Sequence, residues 1–383
     1  MDQDRRLPER HARNMRWLAD PASFEPPRPA RARRRTRILL LGLLLATLVL
    51  VAAGLLSRDR TVSPSPAEVA VAPQSAQSQQ QPQEQAQQPA PPLAPTEALA
   101  ADDEPPPQAS VPTLTSDDRN LSFARRAGLH RVANPLQLTA SVAYAVDASS
   151  GEVLYARNDL AILPVASLTK LVMAMVVLDS GASLNERITI ADADIDRQRH
   201  SRSRLAVGTQ LTRATALRLA LMSSENRAAH ALGRTYPGGR DAFVQRMNLK
   251  ARELGAVHAT FVDPTGLSNA NQATAQDVAL IVAAASKYQP IRQYSTTARY
   301  SGRFGNRQLT YLNSNRLVRH DQWPITLQKT GYIVEAGQCL ALMTKIAGRS
   351  VIVVLLDAGS FAHRIDDARK LRQWLAKRGA PGR

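Results

Sequence analysis

Apolar and polar positions change period several times along the 383 residues, and the changes divide the chain. From Ile38 to Leu56 no residue is charged, and the run is long enough to cross a hydrocarbon core of about 30 Å. A transmembrane helix is therefore expected over 38–57. From Ser57 to about Asp118 the chain is dominated by Pro, Gln, Ala and Ser, with almost nothing apolar enough to bury. This predicts a disordered linker, 58–118, with a root-mean-square span on the order of 40 to 45 Å. The remainder, 119–383, has the length and mixed patterning of one folded domain.

Within that domain the stretch from Ser141 to Ala156 alternates about a turn at Ser149, Ser150 and Gly151, the mark of a β-hairpin. Leu168 to Leu178 is apolar almost all round, which predicts a helix buried at the domain centre. Helical patterns follow over 211–232, 241–255 and 274–286. After Trp323 the period becomes that of strands, over 325–333, 339–348 and 350–358, before an amphipathic helix closes over 361–379. A hairpin first, helices in the middle and strands last predict an α+β fold.

The formal charge of +17 raises the question of nucleic acid. Arg31, Arg33, Arg34, Arg35 and Arg37 crowd one short stretch, and the remaining excess is scattered, without aromatic residues placed to stack on bases. No nucleic-acid partner is expected. Arginines ahead of the apolar span instead orient residues 1–37 toward the cytoplasm, leaving everything after Leu56 outside it. A cleaved signal peptide is the alternative, but the positive leader is long and residues 56–58 offer no small-residue cleavage site. The only cysteine, Cys339, cannot form an intrachain disulfide and reads as a buried apolar residue.

Three short motifs carry candidate chemistry: Ser167 with Lys170, Ser224 with Asn226, and Lys329-Thr330-Gly331. Each alone is weak, since Ser183-Leu184-Asn185 repeats the second pattern where a turn is expected. Three residues apart at the start of a helix, Ser167 and Lys170 share one face. A serine hydroxyl needs a base, and a lysine serves only if burial and nearby positive charge lower its pKa; Lys329 is the candidate for that second charge. The helix N-terminus would place free N–H groups where negative charge develops. Ser224 and Asn226 offer a hydroxyl to relay a proton and an amide to hold a peptide backbone. Gly331 is read as clearing the sheet edge for a substrate strand.

Taken together, in this order and spacing, the motifs resemble those of penicillin-binding proteins and serine β-lactamases. The segments around Ser224, Tyr236-Pro237-Gly238-Gly239, Phe261 to Ser268, Ser295 to Arg299, and Lys329 to Leu340 are similar to the low-molecular-mass DD-endopeptidases of the penicillin-binding protein 7 type, over residues 130–375. The resemblance implies the β-lactamase and DD-peptidase-like fold, an antiparallel sheet flanked by helices with a helical subdomain. It implies hydrolysis of D-alanyl-D-alanine cross-links in peptidoglycan, with β-lactams as covalent inhibitors and no metal or cofactor. By matching position it implies Ser167 as acylated nucleophile, Lys170 as general base, Ser224 as proton relay, and Asn226, Lys329, Thr330 and Gly331 as substrate-binding or field-tuning groups. The oxyanion would meet the backbone N–H of Ser167 and of Tyr332, whose ring is incidental to that role. The domain would lie in the periplasm on an inner-membrane anchor, or free there if the leader is cleaved. Members of this kind resemble exported proteins with a short signal, so the long cationic head and spacer are the departure.

A class A β-lactamase is disfavoured because 261–277 contains no glutamate for deacylation. A zinc peptidase is disfavoured because the seven histidines are dispersed, without an H-x-x-x-H pair. The rival within the same chemistry is a DD-carboxypeptidase releasing terminal D-alanine; the chain ends soon after its last helix, which favours the endopeptidase. A non-catalytic wall-binding scaffold is the other class, disfavoured because every required side chain is present. The arginine-rich segment around His200 is read as a solvated loop without a role.

Overall fold

The computed structural model describes residues 121–320 and 323–379. The expected basic segment, membrane span and linker lie outside the described residues, and among those described no helix is long and apolar enough to cross a membrane.

In chain order the strands are β1 (Val142–Asp147), β2 (Val153–Arg157), β3 (Leu163–Pro164), β4 (Arg187–Thr189), β5 (Gln210–Thr212), β6 (Gln272–Ala273), β7 (Arg299–Phe304), β8 (Arg307–Leu312), β9 (Ile325–Ile333), β10 (Gly337–Ile346) and β11 (Arg349–Ala358). The helices are α1 (Phe123–Arg126), α2 (Lys170–Asp179), α3 (Arg213–Met222), α4 (Asn226–Arg234), α5 (Gly239–Glu253), α6 (Ala275–Ala285), α7 (Gln289–Ser295), α8 (Arg316–His320) and α9 (Phe361–Gly379).

The main sheet runs β2-β1-β11-β10-β9, antiparallel throughout, so the last three strands of the chain insert beside the first hairpin and leave β9 at an edge. Both faces are covered, which explains why β11 reads as an unbroken apolar run rather than an alternation. Val351, Val353 and Leu355 pack toward α9 through Ile365, Ala368 and Leu371. Ile352, Val354 and Leu356 join the larger core that contains α2 and α6. The α+β expectation and the closing helix hold.

Central helix α2 has no exposed face: every residue from Lys170 to Val177 is buried, as its apolar pattern requires. The helical reading of 211–232 needs correction, because that stretch is two helices. Thr212 caps α3 by accepting from the Thr215 N–H, and Glu225 caps α4 by accepting from the Arg227 N–H. Between them Ser224 takes φ 61°, a region that non-glycine residues seldom occupy. The break turns Ser224 and Asn226 toward a groove instead of leaving them on a helix flank. The β7-β8 hairpin went unread, although Gly305-Asn306 between alternating segments is a hairpin signal.

Candidate active site

Ser167 lies in a 3-10 turn, Ala166–Thr169, that runs straight into α2. The turn is clamped by the segment following α5. Val165 N–H donates to the Asn271 carbonyl at 3.0 Å, the Asn271 amide donates to Thr169 Oγ1 at 3.1 Å, and β3 pairs with β6. Ala166 is held at φ 47°, a strained conformation that persists only where its surroundings over-determine it. Gly266, at φ 80°, lies against it: a Cβ there would stand 1.9 Å from the Ala166 carbonyl oxygen and 2.9 Å from Ser167 N. Gly266→Ala should therefore displace the serine turn and cost about 2 to 4 kcal/mol. A fall in thermal midpoint together with slower labelling by a fluorescent penicillin would show it; a variant of normal stability and labelling would refute it.

Lys170 is fully buried, and its Nζ reaches three acceptors: Ser167 Oγ at 2.7 Å, Asn226 Oδ1 at 2.8 Å and the Thr265 carbonyl at 2.6 Å. Burial drives its pKa down to about 7, against Asp263 and Glu225, whose charges raise it. An amine there is substantially neutral near pH 7 and bonded to the hydroxyl whose proton it would take. Of the two expected causes burial leads at Lys170, and the repulsion between the two lysines acts on Lys329 instead. Lys329 is itself fully buried and held well below the usual lysine range by desolvation, then by Lys170 and Arg364. Its Nζ donates to the Thr330 carbonyl at 2.7 Å.

Asn226 uses both ends of its amide, accepting from Lys170 and donating to Ser201 Oγ at 2.9 Å. Its side chain is thereby fixed in place before any substrate arrives. Thr330 Oγ1 lies 2.7 Å from Ser314 Oγ. Gly331 also meets a constraint within the protein itself. A Cβ at this position would lie 3.0 Å from the Val165 carbonyl and 3.2 Å from Ser167 N, so the glycine lets β9 approach the serine turn. Tyr332 is 58% exposed on the rim.

These residues line a groove of about 570 Å³ into which Ser167, Ser224, Asn226, Thr330, Gly331 and Tyr332 all face. Among the described residues Ser224 Oγ has no hydrogen-bond partner, leaving its hydroxyl free for a ligand. No group of three or more His, Cys, Asp or Glu among the described residues is arranged to hold a metal.

Several groove residues were missed. Arg364, from α9, is 2% exposed, bonds Gln338 Oε1 at 2.9 Å, and is pushed down to about 10 by burial. The segment around His200 is not an idle loop. Asp196 accepts from the N–H groups of Gln198, Arg199 and Ser201 and so shapes it, Ser201 holds Asn226, and Arg199 pairs with Glu335 at 2.9 Å across to the β9-β10 turn. Aspartate followed by polar residues is an Asx-turn signal that marks a built loop.

The family profile described as D-alanyl-D-alanine carboxypeptidase, peptidase S11, matches residues 129–360. The D-alanyl-D-alanine endopeptidase of Pseudomonas aeruginosa is 45% identical over 246 residues, 63% of this chain and 79% of that protein. The D-alanyl-D-alanine endopeptidase of Escherichia coli is 38% identical, over 66% of this chain and 82% of that protein. The crystal structure of the Streptomyces K15 DD-transpeptidase superposes with a TM-score of 0.59 at 28% identity, covering 64% of this chain and 99% of that one. A buried serine-lysine pair in a groove and a profile match over most of the folded domain lead to one assignment: this chain belongs to the S11 family of serine D-alanyl-D-alanine peptidases, which are hydrolases.

Proposed function

We propose that this chain is a D-alanyl-D-alanine endopeptidase that cuts the peptide cross-links of peptidoglycan through an acyl-enzyme on Ser167. The observation that carries the mechanism is the 2.7 Å contact between Ser167 Oγ and a Lys170 amine that burial brings to about 7. Ser167 Oγ attacks the D-alanyl carbonyl carbon while its proton passes to Lys170 Nζ. The carbonyl oxygen, now negative, lies toward the backbone N–H groups of Ser167 and Tyr332. The C–N bond breaks, the leaving amine takes a proton relayed through Ser224, and an ester remains on Ser167. Water, with Lys170 again accepting the proton, releases the acid and restores the serine. Asn226 and Thr330 hold the peptide. The leaving residue carries a carboxylate, and the buried Arg364 guanidinium supplies a matching charge in the groove.

The named relatives at 45% and 38% identity support an endopeptidase over a carboxypeptidase. We further infer that residues 38–57 anchor the protein in the inner membrane with the catalytic domain in the periplasm, on the uncharged run and the arginines before it.

The test is mass spectrometry of soluble cross-linked disaccharide-peptide dimers incubated with the full chain, with Ser167→Ala, and with penicillin-treated enzyme. Monomers formed only by untreated wild type are expected. Release of free D-alanine from pentapeptides without dimer cleavage would replace the endopeptidase by a carboxypeptidase, and cleavage by Ser167→Ala would refute the acyl-enzyme.

A further inference from the structure

The basic character of the protein resides in its folded domain. Residues 121–379 hold 34 lysines and arginines against 18 acidic residues, whereas residues 1–120 hold 14 of each. The N-terminal arginine cluster is offset by acids farther along, most of them in 59–118, so residues 1–120 add nothing to the net charge. Within the domain two stretches, 197–224 and 278–320, contain no acidic residue.

The fold brings these two stretches together. Arg204 donates to the Thr310 carbonyl at 2.8 Å and its guanidinium lies 4.1 Å over the Tyr311 ring. Arg218 stacks on Tyr294 at 4.7 Å and on Tyr300 at 4.8 Å. The β7-β8 hairpin thus turns Phe304, Leu309 and Tyr311 inward and presents Arg299, Ser301, Arg303 and Thr310 outward, with Arg307 exposed at its end. Ser301 and Thr310 hydroxyls bond across the outer face at 2.8 Å. Among the described residues Arg202, Arg299, Arg303 and Arg307 make no ion pair. Glu225, the acid whose field reaches Tyr311, is buried and takes hydrogen bonds from Ser203 and Arg227. An uncompensated field of one sign over several exposed guanidinium groups attracts a polyanion.

The position of this face names the polyanion. It begins at the catalytic groove: Arg199 and Ser201 line the groove and lead into Arg202 and Arg204, while Ser314 lines it two residues past the end of β8. The groove wall at 199–201 is thus joined to the β7-β8 hairpin through Arg204. We propose that the face formed by Arg202, Arg204, Arg299, Arg303 and Arg307 docks the free carboxylates of peptide stems neighbouring the cross-link being cut, so that the enzyme engages polymeric wall more tightly than isolated dimers. The proposal rests on the peptidoglycan reading above. Each exposed contact is weak, but a lattice of carboxylates lets several act together, since every further contact is intramolecular once the groove is filled.

The test uses full-length protein carrying Ser167→Ala, in non-ionic detergent, co-sedimented with insoluble peptidoglycan sacculi at about 50 and about 300 mM salt. Expected is binding that weakens with salt, and roughly tenfold weaker binding with a flatter salt dependence for Arg299→Gln/Arg303→Gln/Arg307→Gln. The same triple change in otherwise wild-type enzyme leaves cleavage of the soluble dimer unchanged while slowing release from sacculi. Equal sacculus binding by the variant overturns the proposal, as does loss of dimer cleavage, which would place the arginines in the groove or the fold. Binding of wild type, but not the variant, to detergent micelles doped with phosphatidylglycerol, with sacculus binding unaffected, would assign the face to a membrane instead. Failure of the wild type to cut the soluble dimer would refute the endopeptidase while leaving the sedimentation result to stand by itself.

Discussion

Lys170→Met should lower the second-order rate of penicillin acylation by about 10² to 10⁴-fold while leaving the protein folded. The methionine keeps the apolar stem that α2 buries and removes only the amine. Ser167 Oγ then retains only its 3.3 Å contact with the Thr265 carbonyl, and no group remains in contact to take its proton. Stability should fall by only about 1 to 3 kcal/mol, the cost of leaving Asn226 Oδ1 and the Thr265 carbonyl without the amine that bonds them. The pH profile separates a lost base from a disturbed site. An amine accepts a proton only when neutral, so wild-type acylation should rise as pH passes upward through about 7. In the variant that rise should be absent. Stopped-flow acylation from pH 5 to 9 decides it; a variant that keeps the rise would remove Lys170 from the role of base.

The elements that sequence period specified were those with both faces or one whole stripe buried. The closing helix 361–379 and the strand 325–333 coincide with α9 and β9, because the helix buries a stripe against the sheet and the strand is buried along most of its length within it. The break at Ser224 was not readable from period, since 211–232 keeps a helical pattern through it. It is the Ser223 C-cap, the strained φ of Ser224 and the Glu225 cap that end one helix and start the next. The site divides in a similar way. Ser167, Lys170, Asn226 and Thr330 were legible as residue types at fixed spacing. The groups that position them were not, because they act through backbone or through residues far along the chain: the Thr265 carbonyl holds Lys170 from 95 positions away, and Ser201 holds Asn226 from 25. Gly266 was visible as a letter, but its reason is a contact with Ala166 that only the folded chain makes.

Asp263→Asn should cost about 1 to 3 kcal/mol of stability, a fall of roughly 2 to 12 °C in thermal midpoint, and should also shift the pH profile of acylation. Asp263 is 4% exposed and is the hub of the turn that carries the Thr265 carbonyl. Its Oδ1 accepts from Thr265 N at 2.6 Å, from Gly266 N at 2.9 Å and from Thr265 Oγ1, and its Oδ2 accepts from Ser268 N at 3.0 Å. Burial pushes this carboxyl up, but the hydrogen bonds from Thr265, Ser268 and Gly266 outweigh it and hold the group below the usual carboxylate range. Asparagine keeps the three bonds at one oxygen and sets an N–H₂ against the Ser268 N–H, two donors facing each other in a buried site. The second effect concerns charge. Asp263 is the first of the two acids that raise Lys170, so its removal leaves desolvation less opposed and lowers the lysine further. The rise in acylation should then begin below the wild-type position near 7, with a smaller plateau, because a less basic amine is a weaker proton acceptor. A stability loss with an unmoved profile would show that Asp263 acts only as scaffold, and a profile moved to higher pH would contradict the electrostatic account of the Ser167-Lys170 pair.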